Sequence, residues 1–283
     1  MTTTPARGLI ALLRLPYWLM TGGLSLLTAF AITKDAIGVE TIVLIFFSMA
    51  FITSAGFSIN DYFDRESDAV IKPKRPIPSG ALSLKQVIAV SAFLFAIGLI
   101  LAFLINWLSF VILLIDSILL LIYSAFVKRK SGFAANVLVG LLVGTAFIYG
   151  EATIFQTVSL ISLSLYPTCF GTIGGNILRD ILSFEGDSKI GYPTLPQNIG
   201  NKASINVAAY FFIATAILAP LPFLFGFFSV YYLALIVLWG VILVYSALRL
   251  ITSPVQHVKK YERLVTMSMM LLILSLIIEA FVP

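Results

Sequence analysis

The sequence predicts an all-α integral membrane protein that crosses the bilayer nine times. Of its 283 residues, 60% are hydrophobic and only 11% are charged, and the mean hydropathy is +1.04. A soluble globular domain carries about 45–50% apolar and about 25% charged residues. This much apolar surface cannot be buried inside one water-soluble fold, so lipid must be the solvent for most of the chain. A soluble enzyme and a disordered chain are both excluded.

Nine apolar stretches are each long enough to cross the ~30 Å hydrocarbon core as a helix. They are 9–33, 39–60, 86–105, 108–127, 133–151, 157–178, 203–225, 229–248 and 264–281. A turn near Asn106 separates the third stretch from the fourth, because the two together would be far too long for one span. Pro220 and Pro222 separate the seventh from the eighth in the same way.

The basic residues fix the expected orientation of the chain. With nine spans, all of the 18 Lys and Arg residues except Lys34 fall on one side of the membrane. The positive-inside rule makes that side the cytoplasm. We therefore expect a multi-pass protein of the cell membrane with its N-terminus in the cytoplasm and its C-terminus outside. The same distribution explains the net charge of +5 without a nucleic-acid partner.

Two of the predicted cytoplasmic loops are long, and they share a layout. Residues 61–85 follow the second span and residues 179–202 follow the sixth, and each loop opens with acids and continues with basic residues and prolines. Because the two spans are four apart, the chain reads as two four-helix halves plus a ninth helix. We expect residues 1–283 to form a single transmembrane domain with these two loops as its cytoplasmic cap.

The first loop opens with a row of oxygen ligands. Asn60, Asp64 and Asp68 are spaced i, i+4 and i+8, which places them on one face if the helix continues, whereas Asp61 and Glu66 should point elsewhere. Like charges on one face repel unless a cation joins them. Oxygen ligands without His or Cys suit Mg²⁺, which is usually shared with substrate phosphates.

The second loop repeats this arrangement. Asp180, Ser183 and Asp187 are spaced i, i+3 and i+7, again on one predicted helical face. The alternative interpretation is that both clusters are solvated acids at helix ends, which are common. Two such clusters at matching positions, on the side where basic residues are favoured, indicate instead that they hold a ligand.

Basic residues surround both acidic clusters in the sequence. Acids for Mg²⁺ beside Lys and Arg for anionic oxygens are the pattern of a diphosphate site. For Arg75 and Lys189, substrate contact is the favoured interpretation, whereas Lys130, Lys259 and Lys260 fit an inner-leaflet phospholipid surface. The basic residues nearest the clusters are Lys72, Lys74, Arg75, Lys128, Arg129, Arg179 and Lys189.

Three motifs resemble those of the UbiA superfamily of intramembrane prenyltransferases. The run 60–68 with the run 72–80 is similar to the first aspartate motif of that superfamily, and the run 185–196 is similar to its second. Tyr123-Ser124 with Lys128-Arg129 resembles a further signature. The chain departs from the family at Ser183, where the second motif usually has Asp, so Asp180 is the candidate for the missing carboxylate. Arg14 also lacks the Asn that often follows it.

The resemblance implies nine helices around a central cavity that opens to lipid, and a magnesium-dependent transfer of a polyprenyl group. The implied catalytic residues are Asp64, Asp68, Asp187 and Tyr123. The implied metal ligands are Asn60, Asp64, Asp68, Asp180 and Asp187. The implied diphosphate-binding residues are Arg14, Lys72, Arg75, Lys128 and Lys189. The partners would be a polyprenyl diphosphate, a hydrophobic or amphiphilic acceptor and membrane lipid.

Two branches of the superfamily are closest in motif pattern, the digeranylgeranylglyceryl phosphate synthases and the chlorophyll synthases. The first implies transfer from geranylgeranyl diphosphate to geranylgeranylglyceryl phosphate in ether-lipid synthesis. Prenylation of an aromatic or chlorophyllide-type acceptor is the alternative. A membrane transporter is the non-enzyme alternative, but it predicts ionisable residues at mid-membrane, where the sequence offers mainly Asp116. Asp116 and Asn136 suit either a cavity or a helix–helix contact.

Overall fold

The computed structural model describes residues 4–252 and 255–282, with the side chain of Ile190 outside that description. Within these residues every regular element is helical, which confirms the predicted fold class. The bounds of the α-helices in the described part are Pro5–Leu13 (α1), Pro16–Thr33 (α2), Val39–Phe63 (α3), Arg65–Ile71 (α4), Leu84–Ile105 (α5), Trp107–Ile122 (α6), Lys128–Lys130 (α7), Gly132–Phe155 (α8), Leu160–Leu165 (α9), Phe170–Leu182 (α10), Phe184–Ile190 (α11), Leu195–Leu218 (α12), Leu221–Leu224 (α13), Val230–Thr252 (α14), Val258–Ser268 (α15) and Met270–Phe281 (α16).

Eight helical segments of the described part are long and apolar enough to cross a membrane. The ninth predicted span, 157–178, is instead built from α9, a 3₁₀ turn over Tyr166–Cys169, and α10. Pro167 lies at the start of that turn and has no N–H to continue an α-helical ladder. Judged by length alone, the described chain therefore has one span fewer than the hydropathy pattern predicts, although helical turns fill most of the missing segment.

The chain divides into two compact units. The first comprises Met1–Leu26 with Ile37–Val127, and the second comprises Leu27–Ala36 with Lys128–Pro283. The division after Val127 falls where the predicted fourth span ends, so it coincides with the boundary between the predicted halves. Helix α2 contributes residues to both units.

Small residues bring the helices of each unit close together. In the first unit, a Cβ added at Gly98 of α5 would lie 2.8 Å from Ile52 Cδ1 of α3. In the second unit, a Cβ at Gly174 of α10 would lie 3.0 Å from the Ala208 carbonyl oxygen of α12. Close approach through small residues is the usual way for helices to pack in lipid, where apolar burial gives little drive.

Two buried carboxylates join helix ends in the second unit. Glu151 at the end of α8 accepts hydrogen bonds from the N–H and hydroxyl of Ser159, which caps α9. Glu279 in α16 accepts from the N–H and hydroxyl of Ser229, at 2.9 and 2.6 Å, and lies 3.0 Å from Lys34 Nζ. Both carboxylates are almost fully buried. They lie outside the acidic clusters, so we assign them a structural role.

The predicted cap segments are more helical than the sequence suggests. Residues 61–85 contain α4, and residues 179–202 contain α11 and the start of α12. The helices break at polar positions: α3 gives way to α4 at Asp64, and α10 to α11 at Ser183. These breaks redirect the chain within each acidic cluster.

Candidate functional site

The first acidic cluster lies where α3 ends and α4 begins. Asp64 is the junction residue, with φ −85° and ψ 1°. Across it, the N–H groups of Asp64 and Asp68 still donate to the carbonyls of Asn60 and Asp64, at 2.9 and 2.8 Å. The bend leaves Asp61, Asp64 and Asp68 all buried, at 3–5% exposure. Buried carboxylates require partners, because taking an isolated charge out of water costs several kcal/mol or more.

Asn60 and Asp64 are joined directly. The Asn60 amide Nδ2 donates a hydrogen bond to Asp64 Oδ2 at 2.8 Å. The Asn60 carbonyl oxygen Oδ1 is buried and has no hydrogen-bond partner among the described residues. A buried acceptor left without a partner is costly, and a bound cation would satisfy it. The two residues are therefore neighbours, as their i, i+4 spacing predicted.

Asp61 is at the centre of the cluster, so the expectation that it points elsewhere is wrong. Its Oδ1 accepts hydrogen bonds from Arg14 Nη2 at 2.7 Å and from Arg75 Nη1 at 2.8 Å. Arg14 and Arg75 are 47 and 14 residues away along the chain, which is why helix spacing alone did not reveal them. Glu66 is exposed and pairs with Arg65 at 3.1 Å, as its surface position predicted.

Arg75 also contacts Asp68. The same Nη1 that bonds Asp61 donates to Asp68 Oδ2 at 2.6 Å. Burial raises the pKa of the Asp68 carboxyl above its ordinary value, although the Arg75 charge and hydrogen bond lower it. The ionised form of Asp68 thus depends on nearby positive charge.

Arg14 sits at a strained break between two helices. It ends α1 with φ 50° and ψ 51°, a left-handed conformation that non-glycine residues rarely adopt. Its guanidinium carbon lies 4.4 Å from the centre of the Phe57 ring, and its Nη2 lies 2.7 Å from Asp61 Oδ1. The strain therefore accompanies a side chain that is fixed by two partners.

The loop that carries Arg75 is anchored by an apolar cluster. The Leu82 N–H donates to the Pro76 carbonyl at 3.0 Å, and Leu82 packs with Leu12 and Val87. Ile77 packs against the same cluster. The proline-containing segment after Arg75 therefore packs against α1 and α5, and this packing helps to position the Arg75 guanidinium.

The second acidic cluster lies just beyond the predicted span 157–178. The Asn136 amide of α8 donates to Asp180 Oδ2 of α10 at 2.7 Å. Burial raises the pKa of Asp180 to about 6, and the Asn136 hydrogen bond opposes that rise. By sequence position, the residue that corresponds to Asn60 is Asn176, which lies four residues before Asp180 as Asn60 lies four before Asp64. Asn176 accepts instead from Arg179 Nη1 at 2.9 Å.

Ser183 and Asp187 are also brought together. The Ser183 hydroxyl donates to Asp187 Oδ2 at 2.5 Å across the break between α10 and α11. Across this break the Asp187 N–H still donates to the Ser183 carbonyl at 3.0 Å, so Ser183 and Asp187 are neighbours, as their spacing predicted. Asp187 is half-buried and Ser183 is exposed.

The remaining predicted residues occupy distinct places. Tyr123 begins a π-helical turn over Tyr123–Val127 in the first unit, a local irregularity that is frequent at functional sites. In the second unit, Lys128 Nζ lies 5.2 Å from the centre of the Tyr192 ring. Lys72, which ends α4, and Lys189 are both exposed. Of the predicted diphosphate-binding residues, Arg14 and Arg75 contact an acidic residue of the first cluster, Asp61.

The donor set of the first cluster fits Mg²⁺. Among the described residues, no three His, Cys, Asp or Glu side chains converge into a closed metal cage. Mg²⁺ does not need one, because it is commonly bound by one or two carboxylates with waters and substrate phosphates. The unpartnered Asn60 Oδ1 and the raised pKa of Asp68 both indicate a place where a cation would be stabilising. Asp180, with its raised pKa, meets the same requirement in the second cluster.

Comparison with known proteins identifies relatives along nearly the whole chain. A digeranylgeranylglyceryl phosphate synthase of Natronomonas pharaonis is 34% identical over 82% of this chain and 83% of its own length. A solved structure concerning digeranylgeranylglyceryl phosphate synthase in membranes is 27% identical, with a TM-score of 0.84 and coverage of 98% and 99% of the two chains. A UbiA homolog from Archaeoglobus fulgidus bound to GPP and Mg²⁺ shares the fold, with a TM-score of 0.73, 21% identity and coverage of 95% and 99%.

The family assignment rests on a match along most of the sequence. The model of the UbiA prenyltransferase family matches residues 18–275, which include both acidic clusters and parts of both units. This confirms the resemblance inferred from the three motifs. The chain is a multi-pass membrane prenyltransferase and belongs to the UbiA prenyltransferase family.

Proposed function

We propose that the chain transfers a geranylgeranyl group from geranylgeranyl diphosphate to geranylgeranylglyceryl phosphate, a step of ether-lipid synthesis. The proposal rests on one observation above all: relatives that carry the synthase name match over four-fifths of both chains. The family match spans residues 18–275, which supports one transmembrane prenyltransferase domain. The geometry of the acidic clusters supports the diphosphate end of this reaction.

Each acidic cluster is proposed to hold Mg²⁺. Oxygen donors, burial and raised pKa values support this assignment for the first cluster and for Asp180. When bound, Mg²⁺ would neutralise the charge that develops on the leaving diphosphate. The proposed ligands are Asn60, Asp64, Asp68, Asp180 and Asp187.

Cationic side chains are proposed to bind the diphosphate oxygens. Arg75 is only partly buried, and its contacts to Asp61 and Asp68 both use Nη1, so the N–H groups of Nη2 and Nε are available for an anion. Lys72 and Lys189 are exposed and follow the acidic residues of the two clusters in the sequence, and their ammonium groups are proposed to contact phosphate oxygens. Arg14 and Lys128 are assigned the same role, each within its own unit.

The proposed reaction breaks one bond and forms one. The allylic C–O bond breaks and its electron pair leaves with the diphosphate, while the acceptor hydroxyl oxygen forms a new C–O bond and releases its proton to water. Fixed positive charge around the diphosphate favours the charged transition state. Tyr123 is proposed as a catalytic residue on the strength of its place in the π-helical turn.

The orientation in the membrane is proposed from the basic residues. If the segment 157–178 completes a crossing, all Lys and Arg residues except Lys34 lie on the cytoplasmic side. Both acidic clusters then face the cytoplasm, with the N-terminus inside and the C-terminus outside. A water-soluble diphosphate head group and Mg²⁺ would reach the clusters from that side.

An acceptor panel tests the proposed reaction. Purified protein is incubated with geranylgeranyl diphosphate, Mg²⁺ and one acceptor. The acceptor in each of three separate reactions is geranylgeranylglyceryl phosphate, hydroxybenzoate or chlorophyllide. We expect product with the first acceptor, and a fall of about 100-fold or more in Asp64→Asn. Glu66→Gln removes an exposed charge from the same segment and should retain activity. Product with another acceptor would replace the proposed substrate, and no product with any acceptor would refute the transfer.

A further inference from the structure

Arg75 occupies the space between two buried carboxylates of the first cluster. Its Nη1 donates both to Asp61 Oδ1 at 2.8 Å and to Asp68 Oδ2 at 2.6 Å. Both contacts use Nη1, so the N–H groups of Nη2 and Nε are not needed for either of them. A guanidinium carries five N–H donors, and three therefore remain for another anion. Arg75 is 21% exposed, whereas the two carboxylates are nearly inaccessible.

The cluster is almost balanced in charge without any metal. Asp61, Asp64 and Asp68 contribute three negative charges, and the two arginines that contact Asp61 contribute two positive ones, so these five side chains together carry a net charge of about −1. A divalent cation is attracted to a site in proportion to its ligand charge. With Arg75 2.6 Å from one of the proposed ligands, the cluster offers much less attraction than three carboxylates alone would.

We infer that Arg75 makes metal binding at the first cluster depend on the diphosphate. Without an anion, the positive charge of Arg75 neutralises Asp68, and when a diphosphate binds Arg75, Asp68 becomes available to the metal. This inference rests on the proposed function for the identity of the anion. A diphosphate that engages Nη2 and Nε draws the guanidinium charge away from Asp68 and supplies further oxygens to the cation. Metal and diphosphate then bind more tightly together than either binds alone.

Asp61 is the positioning residue of this device. Asp61 Oδ1 accepts hydrogen bonds from both Arg14 and Arg75, so it keeps both guanidinium groups in place when Asp68 binds the metal ion. The loop that carries Arg75 is anchored by the packing of Leu82 against Leu12 and Val87. The exchange therefore needs only a change in which partner Arg75 neutralises, without a movement of the loop.

Binding measurements on Arg75→Gln test the inference. Binding of Mg²⁺ alone is followed by titration calorimetry on the detergent-solubilised protein, and retention of radiolabelled inorganic pyrophosphate is measured at a fixed free Mg²⁺ concentration. We expect Arg75→Gln to bind Mg²⁺ alone about fivefold more tightly or better, and to bind pyrophosphate at least about tenfold more weakly, within the usual range of coupling between two ligands. Unchanged or weaker Mg²⁺ binding in Arg75→Gln would overturn the inference.

Arg65→Gln is the matched control, because Arg65 lies in the same segment but pairs with exposed Glu66. It removes the same charge and should alter neither affinity by more than about twofold. An equal rise of Mg²⁺ affinity in both variants would show a general charge effect and would also overturn the inference. If Arg75→Gln is not recovered folded, Arg14→Gln takes its place, with a rise in Mg²⁺ affinity of about fourfold expected, and a rise no larger than that of Arg65→Gln contradicting the inference.

The outcome is separable from the proposed function. If the wild-type protein prenylates no acceptor but Arg75→Gln shows the expected opposite shifts, the coupling stands and the proposed reaction falls. If the wild-type protein is an active prenyltransferase but its Mg²⁺ affinity is indifferent to Arg75, the proposed reaction stands and the coupling falls.

Discussion

The Asn136 amide donates a hydrogen bond to Asp180 Oδ2 at 2.7 Å, across 44 residues of sequence. This contact joins α8 to the end of α10 and orients a carboxylate whose pKa burial raises to about 6. In the first cluster, the amide of Asn60 orients Asp64 in the same way, at 2.8 Å. Each acidic cluster thus has one asparagine that fixes one carboxylate, although the two asparagines come from different places in the repeat.

The first prediction concerns Asn136, which contacts Asp180. Asn136→Ala should lower Mg²⁺-dependent activity about 10–100-fold, because groups that orient a metal ligand typically matter by that factor. The measurement is kcat/KM at several Mg²⁺ concentrations, and we expect the loss to shrink as Mg²⁺ is raised. The matched control is Asn176→Ala, since Asn176 lies one turn before Asp180 but accepts from Arg179. Equal losses in both variants would contradict a specific role for Asn136.

The second prediction separates Asp61 from Glu66, which the sequence treats alike. Asp61→Asn removes the negative charge that Arg14 and Arg75 share and keeps only one acceptor oxygen, so it should weaken pyrophosphate binding about tenfold and lower the melting temperature. Glu66→Gln makes the same charge change at a side chain that is 85% exposed, and it should do neither. Pyrophosphate retention and thermal unfolding in detergent measure the two effects. Normal pyrophosphate binding by Asp61→Asn would show that Asp61 does not position the arginines.

The third prediction concerns Ser183, where the family motif usually has Asp. Ser183→Asp replaces the hydroxyl that donates to Asp187 with a second carboxylate. Without metal, repulsion between the two charges should lower the melting temperature, and Mg²⁺ should restore it by more than it stabilises the wild-type protein. Thermal unfolding with and without Mg²⁺ tests this. An equal response to Mg²⁺ in both proteins would place the metal away from Ser183.

The fourth prediction concerns a residue with a purely structural role. Glu279→Gln weakens the partner of Lys34 and Ser229 in the second unit and should cost about 1–3 kcal/mol of stability. The Michaelis constant for the prenyl diphosphate should not change, because Glu279 belongs to neither acidic cluster. A raised Michaelis constant with unchanged stability would contradict this assignment.

The fifth prediction concerns topology. In a Cys169→Ala background, Lys74→Cys should react with a membrane-impermeant thiol reagent only from the cytoplasm, and Asp35→Cys only from outside. Phe281→Cys is the decisive position, since it lies outside the cell if the segment 157–178 completes a ninth crossing. Labelling of Phe281→Cys from the cytoplasm would show eight crossings.

The fold was largely predictable because its determinants are local. The length of an apolar stretch and the side on which Lys and Arg gather can be read without knowing any contact. The breaks within these stretches were harder to predict. Pro167 gave a signal for one of them, whereas the breaks at Asp64 and Ser183 carry no proline or glycine, and helical periodicity alone extends the helix through them.

The candidate site was predicted in its residue types but not in its pairings. The spacing of Asn60, Asp64 and Asp68 predicted an acidic cluster, but it also predicted that Asp61 points away from that cluster. In the structure Asp61 contacts Arg14 and Arg75. Its partner Arg14 comes from a helix break 47 residues earlier, and no local pattern reports such a contact. The signal that existed was chemical: a buried stretch with three carboxylates required balancing cations, and Arg14 and Arg75 were already candidates.

A competition assay between acceptors tests whether the chain transfers a geranylgeranyl group to geranylgeranylglyceryl phosphate. Radiolabelled geranylgeranyl diphosphate and Mg²⁺ are supplied to the purified protein with equimolar geranylgeranylglyceryl phosphate, hydroxybenzoate and chlorophyllide, and the products are separated and counted. We expect nearly all of the label to enter digeranylgeranylglyceryl phosphate, and we expect chelation of Mg²⁺ or the substitution Asp64→Asn to abolish incorporation. Label entering mainly another acceptor, or none, in a preparation that binds pyrophosphate normally would contradict the proposed transfer.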